Sequence, residues 1–257
     1  MSWVKGVFLY ILTVFFASSV AVFPAQRETP QRFVISSIFT TPQAAVDYAN
    51  TFSKETGSIQ FSFEFSGNSV PTVYRVAVDQ NSAIPAAHWE QWTGFTDVKD
   101  VVNFANKMRA VAQFVSCWNP FKNPVSTSIV VFFVPSTLPE TSRYKIVDKT
   151  FTFPSEVTEF LNNNSGVAAD MHSVQFLSEM MVANQLASVW RIVYLADSSR
   201  KSSKGNQLKW HAQYYSTLDD ALAEISANPK VADYRIASSF TTWDVRSKFV
   251  LFILQAP

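Results

Sequence analysis

The residues best suited to bind a metal ion are His88 and Glu90, which lie two positions apart on one face of a predicted strand. Imidazole and carboxylate groups are common metal ligands, but a protein metal site needs three or more of them clustered at short spacing. No other part of the sequence comes as close to such a cluster. We therefore predict no metal and no cofactor, and we expect this pair to lie on an exposed strand edge.

A cysteine nucleophile is the second chemistry to consider. Cys117 is the single cysteine, Trp118 follows it, and His172 and His211 lie downstream as candidate bases. The Gly-rich surroundings typical of papain-like motifs are absent. We interpret Cys117 as a small buried core residue. The sequence thus predicts no catalytic residue and favours a protein that is not an enzyme, with enzymes kept as the third functional class.

Two short segments could bind or carry a charged or polar group. Arg200, Lys201 and Lys204 lie among serines in a predicted loop that could hold a phosphate or an acidic lipid surface, and the alternative is a solvated loop. Asn163 begins the glycosylation sequon Asn163-Asn164-Ser165 in another predicted loop, which is usable if a eukaryote makes the protein.

Tryptophans are the candidate contacts with a protein partner. Trp89 and Trp92 lie three apart in a predicted strand and therefore on opposite faces, so we expect one to be buried and the other exposed. Trp243 falls in a predicted hairpin loop. Exposed tryptophans are enriched at protein interfaces, so Trp89, Trp92 and Trp243 are the residues expected at a partner contact.

The candidate residues described above lie in a sequence in which one short segment occurs four times. Each copy opens with an aromatic and a hydroxyl residue, and the first three copies are 56 residues apart: Phe39-Thr40, Phe95-Thr96, Phe151-Thr152 and Tyr215-Ser216. Such spacing indicates an internal repeat. A Thr or Ser before an amphipathic run is a good helix N-cap, so Thr40, Thr96, Thr152 and Ser216 are the predicted caps, with Thr217 and Asp220 as a second option in the last copy.

Hydrophobic periodicity around each copy predicts the same order of strand, helix, strand and strand. The predicted elements are strands 33–39, 59–65 and 73–78 with helix 42–54; strands 88–95, 111–118 and 128–134 with helix 97–108; strands 144–151, 173–181 and 188–195 with helix 154–162 and a turn at 164–170; and strands 208–215, 233–240 and 248–254 with helix 218–227. The run from Ile129 to Val134 is apolar at every position, so this strand should be central and covered on both faces.

The four units are not equally alike. Units one and three share Pro near the helix start and an Arg in the last strand, Arg75 and Arg191. Units two and four instead share Ser116-Cys117-Trp118 against Ser238-Ser239-Phe240. We predict an α+β fold of four units in A-B-A-B order. Residues 31–135 and 142–257 would form two pseudo-symmetric halves joined by a linker at 135–141, each an antiparallel sheet with two helices on one face.

In element order, the paired units resemble ferredoxin-like and vicinal-oxygen-chelate modules. The second resemblance implies an extra strand in each module, with His and Glu metal ligands inside the sheet. The three histidines of this sequence do not recur at equivalent positions of the repeat, so no ligand set can be carried over.

The N-terminus predicts export. Residues 1–21 contain one charge, Lys5, an apolar run and the small-x-small cleavage site Ser19-Val20-Ala21, which is typical of a secretory signal peptide. An uncleaved membrane anchor over residues 6–24 is the alternative. Ala21 to Pro24 also looks like the signal junction of proteins sent to secondary plastids, so a plastid reached through the secretory route is a further alternative. Residues 22–32 are predicted to be an extended leader.

Composition narrows the function. The 257 residues are 47% hydrophobic and 15% aromatic, which excludes disorder. Loss of residues 1–21 removes one of 21 basic residues and leaves 20 against 20 acidic residues, so no nucleic-acid partner is expected. We predict a structural or self-associating protein of an envelope, shell or virion that acts through contacts with protein, most simply with itself. A secreted or periplasmic ligand-binding module with a site between the halves is the alternative.

Overall fold

The computed structural model describes residues 32–52, 58–64, 73–80, 88–119, 126–182, 185–197, 208–238 and 249–256. The signal, anchor and leader predictions for residues 1–31 lie outside them. The described residues belong to one compact unit, which is mixed α+β. Within the described residues it contains four three-stranded antiparallel sheets and five helices. The predicted α+β class is therefore confirmed.

The elements fall into four consecutive groups in the order strand, helix, strand, strand, and the third group has the additional short helix α4. The elements are β1 (Phe33–Ile35), α1 (Pro42–Thr51), β2 (Ser58–Glu64) and β3 (Val73–Asp79); β4 (Glu90–Phe95), α2 (Val98–Met108), β5 (Val111–Asn119) and β6 (Ser126–Val134); β7 (Ser142–Ile146), α3 (Pro154–Asn163), α4 (Ser165–Ala169), β8 (Met171–Val182) and β9 (Gln185–Asp197); and β10 (Lys209–Tyr215), α5 (Leu218–Ala227), β11 (Val231–Ser238) and β12 (Phe249–Gln255). We refer to these four groups as units 1 to 4.

The last strand of every unit is the central strand of its sheet. The strand orders are β1-β3-β2, β4-β6-β5, β7-β9-β8 and β10-β12-β11. Residues Ile129 to Val134 of β6 are all buried, as expected for a central strand covered on both faces. Each half was expected to contain one sheet, and this is wrong: the described strands of each half form two separate sheets.

The predicted helix caps are displaced by one residue. The side chains of Thr41, Asp97 and Thr217 accept the hydrogen bonds from first-turn amides, rather than those of Thr40, Thr96 and Ser216. In the last copy this confirms the second option, because Thr217 accepts from Asp220 N–H at 3.1 Å and donates its hydroxyl hydrogen to the Asp220 carboxylate. In α3 the N-cap position is Phe153 rather than Thr152, and Glu156 accepts hydrogen bonds from the backbone N–H groups of both. The aromatic and hydroxyl pair ends the preceding extended segment, so the cap is the next residue in extended conformation.

The predicted turn at 164–170 contains the short helix α4. The carbonyl of Asn164 accepts hydrogen bonds from the N–H groups of Val167 and Ala168, which closes a single helical turn. The Asn164 side chain donates to the carbonyl of Phe160 at the end of α3. The chain therefore passes from one helix into the next with the carbonyls of Phe160 and Leu161 satisfied by Asn164.

The predicted strands 33–39 and 144–151 are shorter in the structure. β1 and β7 end early, and the chain returns to the sheet edge at Phe39 and Phe151. Phe39 exchanges backbone hydrogen bonds of 2.9 and 2.7 Å with Tyr74, and Phe151 exchanges hydrogen bonds of 3.0 and 2.8 Å with Trp190. In units 2 and 4 the corresponding residues, Phe95 and Tyr215, lie within β4 and β10, although the register of β4 shifts between Trp92 and Phe95.

Each long helix packs against the first strand of another unit. Helix α1 contacts β4, α2 contacts β7, α3 contacts β10, and α5 of the last unit contacts β1 of the first. The contacts between units therefore follow a closed cyclic order. The largest hydrophobic cluster contains side chains from all four sheets. The expected linker at 135–141 is part of the packed structure, because Leu138 is buried in a cluster with α2 and Tyr144.

The second strands of the four units meet inside the molecule without forming a common sheet. Polar side chains satisfy their free edges instead: Gln113 of β5 accepts from Phe61 N–H of β2 at 2.9 Å and donates to the carbonyl of Ile59. Gln175 of β8 donates to the carbonyl of Phe114 at 2.8 Å. The strands surround a cavity of about 20 Å³, which has room for about one water molecule. Side-chain hydrogen bonds at the edges thus explain why the sheets remain separate.

Candidate functional site

The candidate site is a groove between α3 of unit 3 and β10 of unit 4. Helix α3 buries Pro154, Val157 and Leu161, whose spacing of three and four residues forms one apolar stripe. Pro154 is tolerated because the first helical residue has no intrahelical use for an N–H. The polar face of α3, opposite this apolar stripe, faces the solvent and the groove.

One end of the groove is closed by a side-chain amide. Asn162, in the last turn of α3, donates its Nδ2 hydrogen to the carbonyl of Trp210 at 3.0 Å and accepts from Trp210 N–H at 2.8 Å. The Trp210 ring is buried, and its Nε1 donates to the carbonyl of Ala168 at 3.3 Å. The start of β10 is thereby held against the C-terminal end of α3.

The exposed edge of β10 begins beyond this contact. Backbone groups of an antiparallel strand alternate in direction, and those of Trp210 point away from the partner strand β12 toward Asn162. The N–H and C=O groups of Ala212 and Tyr214 therefore point in the same outward direction. Neither residue forms a hydrogen bond on this side with any described residue. The groove thus exposes a short length of unpaired strand edge.

The groove has a volume of about 680 Å³, within the range of about 300 to 1,000 Å³ that is typical of ligand sites. Phe153 and Tyr214 are its large aromatic residues and are 53% and 48% exposed. Glu159 contributes a carboxylate and His211 an imidazole. Partial burial raises the pKa of Tyr214, so its hydroxyl stays neutral at physiological pH. Aromatic faces, amides and one carboxylate suit noncovalent binding.

Trp89 and Trp92 lie on opposite faces, as their spacing predicts. Trp89 is 5% exposed and stacks edge-on against Phe61 in the core, so its ring has no surface for a partner. Trp92 is 56% exposed and contacts Phe104 of α2 with a ring separation of 5.8 Å. Of this pair, only Trp92 is available for a contact outside the chain.

Of the other predicted site residues, the structure describes Asn163 but not Trp243 or the basic loop. Asn163 is exposed at the end of α3 and is one of the residues that line the groove. Trp243 and the loop residues Arg200, Lys201 and Lys204 lie outside the described residues.

The residues with catalytic potential are dispersed. Cys117 is buried, and its Sγ lies 3.6 Å from the hydroxyl of Tyr74. Burial raises the pKa of the Cys117 thiol to about 12, which disfavours the nucleophilic thiolate. His88 and Glu90 are both exposed, and the described residues contain no group of three or more candidate metal ligands.

His172 is a partly buried polar residue that the sequence did not mark as structural. Its Nε2 contacts the carbonyl of Ala112, and its ring packs against Tyr144 at 4.8 Å and Phe114 at 5.6 Å. Burial, assisted by the charge of Arg235, lowers the pKa of His172 to about 4. The imidazole is therefore neutral near pH 7, which allows Nε2–H to donate to the carbonyl.

The groove could not be found by scanning for motifs, because α3 and β10 are separated by about 50 residues of sequence. A signal was nevertheless present. Asn50, Asn106 and Asn162 are spaced 56 residues apart, and each makes the same two hydrogen bonds to the backbone of an aromatic residue of the next unit: Trp89, Tyr144 and Trp210, respectively. The recurring Asn marks where one unit joins the next.

Comparison with known proteins gives no family: no protein-family model, no curated protein and no solved structure matches this chain. Among the described residues, no helix is both long and apolar enough to span a membrane.

Proposed function

We propose that the chain is a non-enzymatic protein that acts through protein–protein contacts, as a structural or self-associating component of an envelope, shell or virion. The observation that carries this proposal is the exposure of large aromatic side chains. Trp92, Phe153 and Tyr214 are each about half exposed although the core accommodates many other aromatic rings. Aromatic side chains supply much of the binding energy at protein interfaces.

The charge of the chain supports self-association. The formal net charge is +1 for the whole sequence and zero after loss of residues 1–21, so copies of the protein do not repel one another strongly. A near-neutral surface with exposed aromatics promotes association at neutral pH.

Light scattering of the purified protein tests this function. We expect an oligomer or larger assembly, and Trp92→Ser should lower its average mass while circular dichroism stays unchanged. Ile38→Ser is the matched control, because Ile38 is equally exposed, at 57%, but is aliphatic. A monomeric wild-type protein at high concentration would contradict the proposal. Trp243→Ala extends the test to the predicted loop contact.

A ligand-binding module is the second candidate function, and the groove between α3 and β10 favours it. This groove lies within the second half of the chain rather than between the two halves. Replacing Ala212, which lines the groove, with Trp should fill it. The variant should lose any ligand that the wild-type protein selects from peptide and saccharide arrays. Unchanged binding to the variant would place the ligand elsewhere.

We also propose that the units repeat in A-B-A-B order. Units 1 and 3 share one contact in addition to their isolated Phe bridges. Arg75 donates at 3.5 Å to the carbonyl of Ser36, and Arg191 donates at 3.5 Å to the carbonyl of Val147, which in each unit is the carbonyl that follows the first strand. Units 2 and 4 have no Arg in their last strands, and their first strands extend to Phe95 and Tyr215. Superposition of unit 1 on unit 3 should therefore give a smaller backbone deviation than superposition of unit 1 on unit 2.

Export remains part of the proposal. The apolar segment and Ser19-Val20-Ala21 support cleavage after Ala21, which would release an extracellular, periplasmic or surface protein. Mass spectrometry of protein from its native source tests this, because an intact peptide beginning at Met1 would indicate a membrane anchor instead.

A further inference from the structure

We propose that the groove between α3 and β10 binds an extended peptide, which adds to the sheet of unit 4 as a new strand on the edge of β10. This inference rests on the second candidate function, ligand binding at the groove, and specifies the chemistry of the ligand. The occupant is a segment of a partner protein with apolar side chains and one Lys or Arg.

The strand edge determines the class of ligand. Ala212 and Tyr214 present outward N–H and C=O groups at an interval of roughly 6.6 Å, the two-residue repeat of a strand. A peptide in extended conformation supplies donors and acceptors at the same interval. Sugars and compact ligands do not match this linear pattern of alternating groups.

Asn162 forms with Trp210 the same kind of hydrogen bonds that a bound peptide would form with the next residues of β10. Its side-chain amide has the same donor and acceptor groups as a peptide bond, and it satisfies both backbone groups of Trp210. The added strand would start beside Asn162 and run along Ala212 and Tyr214. One position of this edge is thus satisfied within the chain, and two are left for a partner.

The corresponding junction between α1 and β4 is bridged by side chains. Gln43 at the second position of α1 accepts a hydrogen bond of 3.4 Å from Gln91, two residues after Trp89. The equivalent residues in the groove are Ser155, at the second position of α3, and Ala212, two residues after Trp210. Because serine and alanine are too short to span the gap, the groove stays open.

Side chains lining the groove determine the sequence preference of the peptide. The Phe153 and Tyr214 rings offer apolar contacts at the open end. Glu159 is exposed on the facing side of α3 and forms no ion pair with a described residue. A Lys or Arg of the peptide can therefore pair with Glu159 without breaking an ion pair to any residue that the structure describes.

Selection from a displayed library of random octapeptides is the first test, with the wild-type protein as bait. We expect enrichment of sequences with alternating apolar residues and one Lys or Arg. Glu159→Gln should remove the basic preference without abolishing binding. Failure to select any peptide, or selection of acidic sequences, would overturn the proposal.

N-methyl scanning of one selected peptide is the decisive test, because it removes single backbone N–H groups without changing the protein. Strand addition predicts loss of affinity at alternate positions only, by about tenfold for each lost hydrogen bond. Equal tolerance at all positions would refute strand addition while leaving peptide binding, and hence the binding function, intact.

A designed closure of the groove provides the protein-side test. Ser155→Gln with Ala212→Gln reproduces the bridge seen between Gln43 and Gln91, and it should reduce peptide affinity at least about tenfold with the circular dichroism spectrum unchanged. Ala223→Gln is the control, because it adds the same side chain on the exposed face of α5, and it should bind like the wild type. Full affinity in the closed variant would place the peptide elsewhere.

Discussion

The side-chain amide of Asn106 forms two hydrogen bonds with the backbone of Tyr144: Oδ1 accepts from Tyr144 N–H at 2.8 Å, and Nδ2 donates to its carbonyl at 3.0 Å. Tyr144 lies in β7 of unit 3, is 2% exposed, and accepts a hydrogen bond of 3.0 Å from Ala112 N–H at its hydroxyl oxygen. Asn50 and Asn162 make the same pair of bonds at the neighbouring junctions. One residue type therefore joins three pairs of units.

Asn106→Ala should destabilise the protein by about 2 to 4 kcal/mol, because both buried backbone groups of Tyr144 lose their partner and cannot easily regain water. Chemical denaturation measures the change in free energy of unfolding. Asn103→Ala is the matched control, since Asn103 lies on the same helix but is exposed, and it should cost little. Equal effects of the two substitutions would show that the junction contact contributes nothing specific.

Asp97→Ala should cost about 1 kcal/mol, because Asp97 Oδ1 accepts the Lys99 N–H at 2.7 Å and caps α2. Thr96→Ala should be nearly neutral, since Thr96 is exposed and is not the capping residue. Thermal or urea unfolding of the two variants compares them directly. The reverse ranking would restore Thr96 as the cap.

Asp79→Asn should destabilise the junction between units 1 and 4. The Asp79 carboxylate is 4% exposed and accepts hydrogen bonds from Arg32 Nη2 at 2.8 Å and from the hydroxyl of Tyr234 at 3.4 Å. Loss of this charge should cost about 2 to 4 kcal/mol, because Arg32 loses its charged partner. Glu140→Gln breaks the more exposed pair with Arg109 and should change stability by less than about 1 kcal/mol in urea unfolding.

The stability of the protein should depend on the protonation of His172. Its pKa is lowered from 6.5 to about 4 on folding, so the unfolded chain binds a proton more readily than the folded one. The stabilisation is therefore complete above about pH 6.5 and is lost as the pH falls toward 4. Besides Arg235, the ring faces the aromatic groups of Tyr144 and Phe114.

His172→Gln removes this titration while keeping a side-chain donor for the carbonyl of Ala112. Denaturation at a series of pH values should show a shallower loss of stability between pH 6.5 and 4 than in the wild type. His88→Gln alters an exposed histidine and should leave the wild-type slope unchanged. Identical slopes for wild type and His172→Gln would show that another group controls the acid sensitivity.

The local pattern of apolar residues was sufficient to predict most of the strands and helices. Apolar periodicity predicted a strand over residues 59–65, where the structure has β2 (Ser58–Glu64), and the continuous apolar run from Ile129 to Val134 predicted a central strand. Both inferences succeed because side-chain burial follows the periodicity of the backbone, which the sequence displays directly. The predicted helix N-caps lie one residue before the observed ones. Thr40 and Thr41, for example, are the same residue type and suit an N-cap equally well, so only the backbone conformation distinguishes them.

The sequence by itself determined the α+β class, the order of strands and helices, and the opposite burial of Trp89 and Trp92. Tertiary structure alone decided that four small sheets form, that α3 meets β10, and that Ala212 leaves a strand edge open. The physical reason is that these features depend on contacts between residues far apart in the chain. A strand edge can pair with another strand, with a side chain such as Gln113 or Asn162, or with no group of the chain. The outcome depends on which side chains the folded structure places opposite that edge.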